Sequence, residues 1–142
     1  MYNIIQHSHS GIMYLVVIML FASVLMSFIN FIGRDESNSI YLFKLYLYTK
    51  WGLYIQVVLG IILLFISPRI HFVEGFMKSD FLRFYGMEHP LLMLVAVSLV
   101  SIGLFRSKKK TSVKKKNRAV FIYYAIALLI IVFMIPWEAV AS

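Results

Sequence analysis

The chain contains no cysteine. That absence excludes disulfides, iron–sulfur clusters, covalently attached c-type haem and thiol catalysis. Histidine, methionine and carboxylates remain as the side chains able to ligate a metal. Charge is scarce too. Of the 142 residues 14% are charged, against about 25% in an average soluble domain. Acids are the scarcer sign, six against fourteen Lys and Arg. No basic segment precedes the first apolar stretch, and no small-residue cleavage site follows it. That stretch reads as a retained membrane helix rather than a signal peptide. No internal repeat is evident, and no soluble domain fits between the apolar stretches.

What the chain does have is apolar length. It is 61% hydrophobic, with a mean hydropathy of +0.85. The apolar residues are gathered into stretches of the roughly 20 residues that a bilayer-crossing helix needs. The expected fold is all-α: an integral membrane four-helix bundle forming one transmembrane domain over 1–142. Helices are expected at about 9–32, 41–66, 80–105 and 119–137. The third starts near Ser79-Asp80, a plausible cap, because a start at Pro90 leaves too few residues to cross. Pro90 then lies inside the helix and deprives the Gly86 carbonyl of its partner.

The net charge of +8 is mostly one segment. Arg106, Lys108, Lys109, Lys110, Lys114, Lys115, Lys116 and Arg118 lie in the stretch 106–118, with no acid among them. No nucleic-acid recognition motif accompanies this charge, so nucleic acid is not an expected partner. A loop against anionic lipid headgroups explains it. Basic residues beside membrane spans stay cytoplasmic. The loop 106–118 is therefore expected in the cytoplasm, with the outer loop 67–79 and both termini on the outer, periplasmic side. The expected location is a bacterial inner membrane, crossed several times. Lys44 and Lys50 read as interfacial anchors that snorkel.

Small and polar residues mark helix contacts in membranes. Helix 1 carries them on one stripe: His9, Met13, Val16, Leu20, Ser23, Ser27 and Asn30. Helix 2 has Thr49, Leu53, Gln56, Gly60, Leu63 and Ser67. Helix 3 has Gly86, His89, Met93, Ala96, Val100 and Gly103. Helix 4 is expected to pack through Ala125 and Ala127 and to expose most of its surface to lipid.

All four histidines fall toward the outer side: His7, His9, His71 and His89. His9 and His89 lie on inward stripes, each with Met at i+4 (Met13 and Met93). Neutral imidazoles from two facing helices can ligate haem iron axially inside a bundle. Ser10, the Gly86 carbonyl and Glu88 are candidate partners for the other ring nitrogens. The alternative for the methionines is packing, and for Glu88 an interfacial charge beside Arg83. His71 reads as a solvated loop residue. His7 and His9 could chelate zinc or copper together only from extended backbone.

Several stretches together resemble small bacterial four-span membrane proteins labelled cytochrome b-like. They are His7-Ser-His9-Ser10, Ile55-Gln56-Val-Val-Leu-Gly60, Ser67-Pro68, Arg83-Phe84-Tyr85-Gly-Met-Glu88-His89 and Ile135-Pro136-Trp137. The resemblance covers most of the chain. It implies a haem b or redox-associated bundle, with His9 and His89 at recurrent His positions. Such proteins tend to carry another His just before the Ile-Gln pair, where this chain has Tyr54. The expected function is a membrane-embedded electron-transfer subunit, with haem between helices 1 and 3 near the outer leaflet. Quinone and other membrane subunits are the expected partners. The alternative is a cofactor-free accessory subunit of a larger inner-membrane complex.

Overall fold

The computed structural model describes residues 2–33, 40–68 and 75–137. The described residues form helices and turns, with no strand among them. Four helices are long and apolar enough to cross a membrane: α1 (Tyr2–Ile32), α2 (Ile40–Ile66), α3 (Asp80–Lys109) and α4 (Val113–Met134). A short 3-10 turn, Phe76–Lys78, precedes α3. Ser79 caps α3, its side chain accepting the Leu82 N–H at 3.3 Å. The 31 residues of α1 span roughly 46 Å at about 1.5 Å each. This exceeds the roughly 30 Å of hydrocarbon, so its ends reach beyond that layer or the helix tilts.

The helices stand around a square. α1 packs on α2 and α4, and α3 packs on α2 and α4. α1 and α3 are thus diagonal, as are α2 and α4. Polar contacts fix the antiparallel register. Near one end, Gln56 Nε2 donates to the His9 carbonyl at 3.0 Å. In the middle, the Ser23 and Thr49 hydroxyl oxygens lie 3.0 Å apart. Toward the other end, Tyr46 donates to Asn117 Oδ1 at 2.6 Å and Tyr124 donates to the Tyr46 carbonyl at 2.8 Å. This last pair links the diagonal helices α2 and α4. On the seam between α2 and α3, Tyr54 hydrogen-bonds Ser101. The Ser101 hydroxyl already donates to the Val97 carbonyl, so Tyr54 is the donor.

The core is mainly apolar, but the polar side chains of the spans are gathered into it while large apolar ones face outward. Ser23, Ser27, Thr49, Gln56 and Asn117 are buried, while Ile18, Phe21, Phe65 and Phe133 are exposed. Lipid explains this: apolar side chains gain little by leaving it, whereas polar groups need partners that hydrocarbon does not supply.

Three expectations change. The stretch 106–118 is not one long loop. α3 continues to Lys109 and α4 begins at Val113, leaving only residues 110–112 between them. Lys and Arg are good helix formers, and basic side chains in the last turn of α3 favour its negative end. Ser112 then caps α4, accepting the Lys115 N–H at 3.2 Å. α1 starts at Tyr2 rather than near 9, because nothing between Tyr2 and Ser8 breaks a helix. α4 ends at Met134, three residues before the expected 137, since Ile135 is held extended ahead of Pro136.

As expected, α4 packs through Ala127 and leaves most of its surface outside the core, although it is the most buried of the four spans. Tyr124 and Ala127 are fully enclosed. α3 approaches it closely at Gly103, where a Cβ would overlap the Tyr123 side chain. Gly103→Ala is therefore expected to destabilise the bundle by about 1–3 kcal/mol through overpacking. Gly11→Ala, at a position with open space around it, is expected to leave stability unchanged. Unfolding of both variants in the same micelle checks the contrast.

Candidate functional site

The helix ends that carry His9 and His89 enclose a partly open cavity of about 310 Å³. Its walls come from all four helices and are mainly apolar: Met13, Leu53, Val57, Met93 and Ile131 are among them. Polar groups enter at few points, chiefly His9, Ser10, Gln56 and His89. The volume lies at the lower end of the roughly 300–1,000 Å³ usual for ligand pockets.

His89 is held by the end of α4. Its Nδ1 lies 2.8 Å from the Met134 carbonyl. A carbonyl only accepts, so Nδ1 carries the proton. In the neutral ring Nε2 then keeps its lone pair. The chain termination explains why that carbonyl is available. The last four carbonyls of a helix lack helical partners, and Pro136 prevents further turns. Two of these carbonyls are met by side chains: Met134 by His89, and Val132 by Trp137 Nε1 at 3.0 Å. Phe84 stacks obliquely on the His89 ring, with centroids 5.8 Å apart.

α3 is wound more widely just before His89. Residues Phe84–Glu88 form a π-turn, and the His89 N–H bonds the Phe84 carbonyl five residues back. Pro90 follows at the start of the regular helix. Such π-turns accommodate a locally strained sequence and are frequent at functional sites. Here the turn sets the direction in which His89 leaves the helix.

His9 approaches from the diagonal helix. Its carbonyl accepts from Gln56 Nε2, which pins this turn of α1 to α2. Its Nδ1 is buried without a hydrogen-bond partner, and so is Gln56 Oε1. Gly60 makes room for the ring. A Cβ there would stand 3.4 Å from His9 Cε1 and 4.0 Å from Nε2.

The expected set of residues is only partly assembled. His9, Ser10 and His89 line the one cavity; Gly86 and Glu88 do not. The partner of His89 is Met134, not Gly86 or Glu88. Glu88 accepts from Arg83 Nε at 2.9 Å, and Arg83 also bonds Asp80 at 2.8 Å. Those charges form a surface cluster. His7 is exposed on α1. Because residues 7–9 are helical, His7 and His9 point about 200° apart and cannot chelate one ion. His71 lies outside the described residues. Among the described residues no three His, Asp or Glu side chains gather as a metal cage.

Sequence reasoning missed Met134 and undervalued Gln56 and Gly60 as parts of the site. A signal was present for each. Gln56 and Gly60 share a stripe one turn apart, and Pro136 marks where α4 must leave carbonyls unpaired.

The chain matches no protein-family model, no curated protein and no solved structure.

The hydrogen bond to Met134 carries a direct prediction. Nitrogen NMR of histidine-labelled, ligand-free protein in bilayers is expected to show one ring protonated at Nδ1 and bare at Nε2. Ending the helix differently, with Pro136→Ala, should weaken that tautomer preference. An Nε2-protonated ring at His89 in the parent protein would contradict the geometry.

Proposed function

We propose that this protein is a haem-binding electron-transfer subunit of a bacterial inner membrane. The observation that carries the reading is that His9 and His89, from diagonal helices, line one apolar cavity. Its donor chemistry suits haem. The His89 Nδ1 proton is held by a carbonyl, leaving Nε2 to bind iron, the arrangement usual for metal-bound histidine. His9 Nδ1 and the Gln56 side-chain oxygen are both buried without a hydrogen-bond partner, so each has bonding capacity to spare at the cavity. Gly60 supplies the clearance a ring needs against α2. Two side chains suffice because a porphyrin brings four nitrogens of its own.

Bound haem would supply one-electron chemistry. The chain's own contributions are separate. His9 and His89 would hold the group through their ring nitrogens. Met134 and Gln56 orient them, and the apolar walls keep water away. The positive-inside rule favours the basic helix ends in the cytoplasm, which would put the cavity toward the outer leaflet. Membrane quinone and an outer-face protein are the partners this position favours. The likeness to cytochrome b-like four-span proteins points the same way.

A reduced-minus-oxidised spectrum of the purified protein tests the reading. A b-type difference spectrum is expected, lost or converted to high-spin in both His89→Ala and His9→Ala. Gly60→Leu, which fills the clearance beside His9, is expected to reduce haem content severalfold while leaving the helices intact. A protein that carries no haem and co-purifies with stoichiometric membrane partners would replace this reading with a cofactor-free accessory subunit.

A further inference from the structure

The opposite end of the bundle has a second feature that the haem reading does not use. Between α2 and α3 runs a groove of about 420 Å³, lined by Lys50, Ser101, Ile102, Leu104, Phe105 and Lys108. The lysines come from different helices and both line the groove. Lys108, on α3, places its ammonium 5.4 Å from the ring centroid of Phe43 on α2. Lys50, on α2, places its own 5.0 Å from Trp51 and 5.7 Å from Tyr54.

Neither lysine has an acidic partner among the described residues. The acids there, Asp80 and Glu88, are both bound to Arg83 at the histidine end. The depth of Lys50 makes this notable. The bond between Tyr54 and Ser101 sets Lys50 level with Phe105, about one helical turn, or roughly 6 Å, inside the end of α3. The two lysines therefore leave their helices at levels about three residues, or roughly 5 Å, apart, near the end of the spans. Beside them the groove has an apolar wall, with Ile102 and Phe105 exposed and the Lys109 ammonium 4.3 Å from the Phe105 ring centroid.

We propose that this groove binds one anionic phospholipid. Its phosphate sits between Lys50 and Lys108, and an acyl chain lies along Ile102 and Phe105. The two charges complement a phosphate, and the apolar wall selects a lipid over a free ion. Basic pockets between membrane helices bind acidic headgroups in this way. The proposal does not depend on haem.

The test is native mass spectrometry of the full chain released from nanodiscs of equimolar phosphatidylcholine and phosphatidylglycerol. One phosphatidylglycerol per chain is expected to be retained in preference to phosphatidylcholine. At about one surface lysine's worth of attraction each, Lys50→Gln and Lys108→Gln should each lower its retention roughly fivefold. Removing the same charge from the exposed start of α4, with Lys114→Gln and Lys115→Gln, should leave it unchanged. Lys108→Gln changes an exposed helix end and carries the test alone if Lys50→Gln fails to fold. Equal retention of both lipids, no effect of Lys108→Gln, an equal effect at Lys114 and Lys115, or displacement by inorganic phosphate would each overturn the proposal.

Discussion

The hydrogen bond between His89 and the Met134 carbonyl ties the molecule's chemistry to its fold. It joins α3, just past its π-turn, to the end of α4, beside the cavity that His89 lines. It exists because Pro136 stops α4 and leaves that carbonyl without a helical donor. In water such a carbonyl would be hydrated. At a membrane boundary it is costly to leave unmet, so a nearby N–H donor both relieves the helix end and has its own ring fixed. The bond decides which nitrogen of His89 can meet a ligand.

The same constraint shapes the whole bundle. Ser23 and Thr49, Tyr54 and Ser101, and Tyr46, Asn117 and Tyr124 satisfy one another across helix pairs. These contacts set register where apolar packing alone would tolerate sliding. They also leave the two ends of the bundle chemically unlike. One end gathers imidazoles and an amide around an enclosed apolar space. The other gathers lysines and arginines at the junction of α3 and α4. His9 Nδ1 and Gln56 Oε1 are the exceptions to this satisfaction, and they adjoin the cavity.

Much of this organisation is legible from residues alone. Apolar length gives four spans, and the stripe Met13, Val16, Leu20, Ser23, Ser27 is the buried face of α1. His9 and His89 could be singled out because each shares a stripe with small or polar neighbours. What could not be read was contact between helices far apart in the chain. The acceptor for His89 lies 45 residues away and is a backbone carbonyl, which no residue type advertises. Local candidates such as Glu88 were more visible, yet Arg83 already occupies Glu88. Helix 4 is apolar over most of its length, so periodicity could not show that Tyr124 and Ile131 are enclosed together with Ala127. The lysine run was misread as a loop because polarity was taken for irregularity, although lysine sustains a helix well.

The convergence of positions 9 and 89 on one interior space is the claim on which the site stands. The chain's lack of cysteine makes it directly measurable. In the double substitution His9→Cys/His89→Cys, a short bifunctional maleimide in native membranes should join the two thiols within one chain. Failure to cross-link, with both thiols instead labelled freely by a lipid-soluble probe, would show that these side chains face the acyl chains and would contradict the account.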